Sequence, residues 1–427
     1  MADSITLNAL QSIHGLQQIG RARPISKRNR ALPMLLLLSL AVNGCATRVE
    51  NVLQPLTVHA SDAGRVDMLV ATTRKPSENP GQLYSGERGK AISLNNVIVS
   101  IPPDRNRKLG EVQWPSHVPP NPEKEFAVIE TSKAGSENQV LQWFRKSRNG
   151  KRQVIIFVHG FNNTYADAVF RFAQIIHDSG TDATPILFTW PSRARVFDYL
   201  YDKESANYSR RALEDLILQA ARSPDVDDVT ILAHSMGAWL ATEALRGVAM
   251  REKSIPAKVK NVILASPDID IDVVRRQFVE MGPKRPHFTI LTSTRDKALE
   301  ASRWLSGGVD RVGGSDLTPY VAVLDELGVS VIDTSAIASK DPLGHNTFAD
   351  SPDIVRLLGR RLAGQSLAGS EASFTDKIGV AAANFAGTAA RVAVAVPVSV
   401  MSGEAHDVMK RELTPSTGKI VDGQIAY

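Results

Sequence analysis

The sequence predicts an α/β domain built on a mostly parallel, doubly wound sheet, with antiparallel strands on its N-terminal side and no large cap. Three observations carry this. From residue 154 onward, short and nearly continuous apolar runs alternate with longer segments of helical period, the trace of parallel strands covered on both faces. One of those runs passes through a turn of small residues straight into a helix. Upstream lie runs rich in Val, Ile and Thr, bounded by Gly, Pro and Asn as strands are.

In chain order, the upstream strands are expected at residues 66–73 (VDMLVATT), 96–101 (NVIVSI) and 126–131, with Pro-rich loop at 115–122. The parallel strands are expected at 154–158, 185–189, 229–233, 259–265, 288–292 and 329–332. Between them, residues 165–177 put Val169, Phe172 and Ile176 on one helical face, and 205–222 put Leu213, Leu216, Ile217 and Ala220 on another. Both suit crossover helices. A further helix is expected at 239–246, and 354–362 closes the domain. No long insertion follows the run at 259–265, so an open site is expected.

With 427 residues, 43% of them apolar and 22% charged, the chain can bury a sizeable core. Its formal net charge of +5 would suit a nucleic-acid partner only if the charge were spread over the domain. Instead Arg21, Arg23, Lys27, Arg28 and Arg30 face the single acid Asp3 in residues 1–44, which leaves +1 for the rest. No nucleic-acid partner is expected. The basic cluster is followed by an apolar run at 31–42, too short to span a bilayer unaided, and then by Asn43-Gly44-Cys45. That order predicts a signal peptide over 1–44. Residues 42–45 resemble the lipobox of bacterial lipoproteins, with Asn43 a departure from it, and the long basic stretch leaves room for a start downstream of Met1.

The resemblance implies that Cys45 is acylated and anchors the mature chain to a membrane, and Ala46 after it points to the outer membrane, facing the periplasm. Cys45 is the only cysteine, which excludes an internal disulfide, a thiolate metal cluster and a cysteine nucleophile elsewhere. Residues 45–64 read as a tether. The domain is expected over 65–363, as N-terminal strands and loops (65–150) and a catalytic core (151–363). Residues 364–427 read as a flexible tail rich in Ala, Val and Gly. Within it, the apolar stretch 380–401 is broken by Asn384, Arg391 and Pro397, which favours a surface-bound appendage over membrane insertion.

The chemistry centres on Ala233-His234-Ser235-Met236-Gly237, a strand-to-helix turn of the nucleophile-elbow kind, with Ala in place of the first Gly of G-x-S-x-G. Such a turn strains the serine, so the residues two before and two after it must be small. A serine hydroxyl needs a base in reach and a group to orient that base. In the elbow fold these follow the serine in the order acid, then histidine. Of nine histidines, His345 and His406 come after Ser235 and beyond the last strand; His406 is in the tail, so His345 is expected to be the base. His287 precedes its strand and belongs at the opposite end of the sheet. Asp296, one short loop past the run at 288–292, is the expected acid, with Asp268 or Asp270 as alternatives. The oxyanion donors are expected from the N–H of Met236 and from Phe161 or Asn162 in the loop after 154–158, with His159 structural. Trp190 and Asp202 are expected to bind substrate at the carboxyl edge, although Trp190 also suits the core.

Taken together, FVHGFNNTYADAVFRFAQI, FTWPSR, AHSMG, ASPDID, STRDKAL and GHNTF resemble the bacterial family of uncharacterised α/β-hydrolases over roughly residues 66–362, and VATTR and VSIPPDR resemble that family's N-terminal strands. The resemblance implies the fold and the Ser235, Asp296, His345 assignment, and brings no substrate. It points to an esterase- or lipase-like serine hydrolase acting on small-molecule or lipid acyl esters, with no metal and no organic cofactor. Two other readings fit the same residues: an envelope scaffold lipoprotein that keeps the fold without the chemistry, and an acyltransferase.

Overall fold

The computed structural model describes residues 49–57, 60–135, 137–147 and 152–362, and two short paired strands, Ile420–Val421 and Gln424–Ile425. The expected signal peptide, Cys45 and nearly all of the C-terminal tail, including 380–401 and His406, lie outside the described residues. Nine strands form one sheet: β1 (Gly64–Pro76), β2 (Tyr84–Ile101), β3 (Ala127–Lys133), β4 (Gln153–Val158), β5 (Thr184–Thr189), β6 (Asp228–His234), β7 (Val259–Ala265), β8 (His287–Thr292) and β9 (Val329–Asp333). Their order is β3-β2-β1-β5-β4-β6-β7-β8-β9. β1, β2 and β3 pair antiparallel, β1 joins β5 in parallel, and every later pairing is parallel. This is the α/β-hydrolase fold.

The helices are α1 (Glu137–Ser147), α2 (Tyr165–Ser179), α3 (Tyr199–Arg222), α4 (Met236–Glu252), α5 (Ile271–Met281), α6 (Lys297–Leu305), α7 (Val321–Glu326), α8 (Thr347–Asp350) and α9 (Pro352–Leu362). Strand alternation divides the core into two layers. Val154, Ile156 and Val158 of β4 face the layer holding Leu213 and Ile217 of α3 and Leu240 and Leu245 of α4. Ile155 and Phe157 face the other, with Phe172 of α2 and Ile354 and Leu358 of α9. α2 starts at a capping box, Thr164 accepting from Asp167 N–H and Asp167 answering to Thr164 N–H, and ends on Gly180 at φ 63°. Only α5 separates β7 from β8 as a helix, in keeping with the missing insertion.

Two elements depart from expectation. The tether was expected to reach residue 64, yet Val52 and Leu53 are buried, Leu53 N–H donates to Gly81 O, and Leu56 N–H donates to Val128 O. Isolated apolar pairs carry no periodicity, so their burial leaves no pattern to read. β2 begins twelve residues before the expected run, because its polar first half follows the far end of β1 through two register shifts.

Candidate active site

Parallel register does the first placement. Val158 of β4 pairs with Ala233 of β6, so His159-Gly160 and His234-Ser235 leave the sheet side by side. Ser235 sits at φ 54°, ψ −124°, a region that residues with a side chain rarely adopt. Hydrogen bonds on both sides hold it there. Its N–H donates to Ala265 O (3.0 Å), and its carbonyl accepts from the N–H groups of Ala238 (3.0 Å) and Asp268 (3.2 Å). Two glycines provide the room. A β-carbon on Gly237 would lie 2.2 Å from the His159 carbonyl oxygen, and one on Gly160 would lie 2.9 Å from Ser235 Cβ. Met236 is the first residue of α4, so its N–H has no carbonyl one turn back.

Asp296 and His345 come from the loops after β8 and β9. His345 Nδ1 lies 2.7 Å from Asp296 Oδ2. A carboxylate only accepts, so Nδ1 carries the proton and Nε2 keeps its lone pair. Asp296 is also the N-cap of α6: its Oδ1 accepts from Leu299 N–H at 3.0 Å, which fixes the carboxylate while the other oxygen holds the imidazole. Burial by itself would lower the His345 pKa, but Asp296, with Asp268 and Asp341 farther off, outweighs it and raises the value above the ordinary imidazole one. His345 lies beside the elbow. His234 Nε2 is 3.2 Å from His345 O, and the two rings have centroids 4.6 Å apart. Among the described residues the Ser235 hydroxyl makes no hydrogen bond; contacts of this kind tighten when substrate binds.

The alternative acids have other tasks. Asp268 accepts from Tyr199 Oη (2.9 Å) and Ser302 Oγ (2.6 Å) and pairs with Arg311 at 3.3 Å. Asp270 caps α5 through Asp272 N–H and Val273 N–H. His287 opens β8, at the opposite end of that strand from Asp296.

The loop after β4 is organised by His159. Its Nε2 accepts from Trp190 N–H (3.1 Å) and its Nδ1 lies 2.8 Å from Gly160 O, so Nδ1 holds the proton. Trp190 stacks on the ring at 4.8 Å and returns a bond from Nε1 to His159 O (2.9 Å). Burial, helped by the Arg74 charge, pushes the His159 pKa down to about 3, so the ring is a neutral structural acceptor. In the same loop, Phe161 packs edge-on against Tyr199, and the Asn162 N–H is directed at the Asp202 carboxylate.

Trp190 and Asp202 do not fit the expected substrate-binding role. Both have 0% of their surface exposed, because the chain after β5 folds beneath the loop instead of lining its mouth. Two residues escaped sequence reasoning. Asp341 accepts from the N–H groups of His345 (2.9 Å) and Asn346 (3.1 Å), fixing the histidine loop; the Asp-Pro-x-Gly turn around it was the available signal. Arg74 of β1 is 1% exposed, and nothing in its local sequence marks it for burial. Among the described residues, no group of three or more His, Cys, Asp or Glu is arranged to hold a metal ion.

Residues 133–361, just over half of the chain, match the sequence model of the family described as alpha/beta hydrolase of unknown function (DUF900). A protein of Nostoc sp. PCC 7120, uncharacterized protein alr1448, is 27% identical over 176 residues; the match takes in 34% of this chain and spans 43% of that relative. Among solved structures, the Pyrobaculum calidifontis esterase is similar at 10% identity and a TM-score of 0.31, over 63% of this chain and 80% of that one. The Pyrococcus furiosus esterase Pf2001 is similar at 11% identity and a TM-score of 0.32, over 73% and 99%.

Proposed function

This chain belongs to the DUF900 family of α/β-hydrolases, and from that premise and the geometry above we propose that it is a serine hydrolase of carboxylic acyl esters. One observation carries the reading: a strained serine stands at the tip of β6, and the His345 ring, packed 4.6 Å from the ring of the neighbouring His234, is held through Nδ1 at 2.7 Å by a buried carboxylate. In this reading His345 Nε2 takes the Ser235 proton as Oγ attacks the ester carbonyl, and Asp296 stabilises the imidazolium so formed. The developing oxyanion is met by Met236 N–H and by a backbone N–H of the loop after β4, that of Phe161 or Asn162. Collapse of the tetrahedral intermediate breaks the ester C–O bond, with His345 protonating the departing alcohol. Water, deprotonated by the same imidazole, then releases the acid and restores Ser235.

The test is labelling with a fluorophosphonate probe together with turnover of short-chain p-nitrophenyl esters, in wild type and Ser235→Ala. The reading requires both signals in the wild type and neither in a folded Ser235→Ala. A folded wild type that is not labelled would point instead to a binding protein. The lipobox resemblance adds a proposal about place: Cys45 carries acyl chains that hold the enzyme at the cell envelope, in the outer membrane and facing the periplasm. Metabolic labelling with a palmitate analogue should be lost in Cys45→Ser, and equal labelling of that variant would refute it.

A further inference from the structure

A fully buried arginine and a fully buried aspartate flank the loop that faces Ser235, and the sheet, which pairs the Arg74 backbone with Arg88, accounts for neither side chain. Among the described residues Arg74 makes no close ion pair. Its Nε donates to Thr189 Oγ1 (2.8 Å), Nη1 to Ser192 O (2.9 Å) and Ser85 O (3.3 Å), and Nη2 to Asn163 O (2.8 Å). Asp202, in the first turn of α3, accepts from Ser192 Oγ at 2.5 Å and Arg193 N–H at 3.0 Å, and faces Asn162 N–H. Ser192 Oγ in turn accepts from Asn163 N–H at 3.2 Å.

The two peptide groups of Asn163 are therefore held from opposite sides. Its carbonyl is gripped by the cation, and its N–H is gripped by a hydroxyl that the anion orients. Asn163 also ties the loop to itself, Nδ2 donating to Phe161 O at 2.8 Å, and Asn162 is kept at φ 60°. Upstream, Gly160 is wedged against Ser235. The segment that carries the Phe161 amide is thus restrained at both ends.

We infer that Arg74 and Asp202 are positioning residues for the chemistry at Ser235, clamping residues 161–163 so that the Phe161 amide is presented to the developing oxyanion. The inference rests on the acyl-hydrolase reading above. Burying two charges that do not touch each other costs stability, and a well-packed apolar pair would fill the same space. What an apolar pair lacks is directional bonds to the loop carbonyls of Ser192 and Asn163. Preorganised donors act by costing no reorientation as charge develops, so loosening the clamp should weaken transition-state binding and leave ground-state binding alone.

The experiment uses the full chain with p-nitrophenyl butyrate, a trifluoromethyl ketone as mimic of the tetrahedral adduct, and thermal melting on every variant. Ser192→Ala removes only the hydroxyl that links Asp202 to Asn163. It should melt near wild type, lower kcat roughly 10- to 100-fold, hold KM within about threefold and weaken the ketone in proportion to kcat. Arg74→Lys should keep more activity than Arg74→Met, because the ammonium still reaches part of the carbonyl set. The midpoint of the acidic limb of the pH profile should not move, since the clamp does not touch His345. Wild-type kcat in folded Ser192→Ala and Arg74→Lys would overturn the clamp and leave the acyl-hydrolase reading standing. So would losses that merely follow the unfolded fraction. A wild type without turnover or Ser235 labelling would remove that reading and the clamp with it.

Discussion

His159 is held neutral by its surroundings, and this should appear as a measurable acid sensitivity of the fold. Its Nε2 must accept from Trp190 N–H, and burial beside Arg74 keeps its pKa near 3, against an ordinary imidazole value of about 6.5. A group whose pKa is lower when folded binds more protons when unfolded. Its contribution is therefore present above the unfolded value and is lost as pH falls from there toward the folded one. Each pH unit inside that window removes about 1.4 kcal/mol, so the loss between pH 7 and pH 4 comes to about 3 kcal/mol. That is a large share of the ~5–15 kcal/mol that holds a typical domain together. The clean perturbation is His159→Gln, which can still accept from Trp190 N–H but does not titrate. Urea unfolding of both proteins at pH 7, 6, 5 and 4 would give the difference in stability at each pH. The wild type should lead at pH 7, and its advantage should shrink by about 3 kcal/mol by pH 4. A difference that stays constant over this range would refute the account of a buried neutral ring.

Three further outcomes follow from the site. Because Asp296 raises the His345 pKa and the base must be neutral to act, kcat/KM should rise with pH with a midpoint above about 6.5; Asp296→Asn should lower that midpoint and cut kcat on the order of 10³- to 10⁴-fold, as a pH–rate series would show. Asp268→Asn should instead act on stability, by about 3 kcal/mol, because it leaves Arg311 buried without its anion, and denaturation alongside kinetics should show a far smaller loss of kcat than Asp296→Asn gives. Gly237→Ala should cost more than about 3 kcal/mol or prevent folding, since the added methyl meets a backbone oxygen at 2.2 Å and no side chain can move aside; a soluble variant melting near wild type would contradict this.

Much of the site was legible because its parts obey strong local constraints. A strand that runs through Ala-His-Ser-Met-Gly into a helix has few other uses, and the loops after β8 and β9 each offer a residue of the right type at the same sheet edge. Asp202 was read to the carboxyl edge but lies beneath it, and Trp190 takes the core position that its sequence equally allowed. Their sequence positions say how far along the sheet they lie and nothing about which chain segment passes over them. Arg74 was illegible for a related reason. An arginine after Thr-Thr at the end of a strand ordinarily marks solvent, and the acceptors that bury it, Ser192 O and Asn163 O, come from loops more than eighty residues away. The buried turn at 52–53 and the polar half of β2 were missed because tertiary pairing, not pattern, creates them.

The pairing of β1 with β5 has a consequence for where the working unit begins. Leu69 to Thr72 lie in register with Ile186 to Thr189, so the strand that delivers Arg74 is hydrogen-bonded to the core while standing outside residues 133–361. A fragment cut at the family boundary would expose β5 as a raw edge, bare of its neighbour, and would strip the guanidinium from beneath the loop in the same stroke. The stretch that defines kinship is thus smaller than the stretch that has to fold together, and expression of the minimal segment should give a sticky and poorly active product.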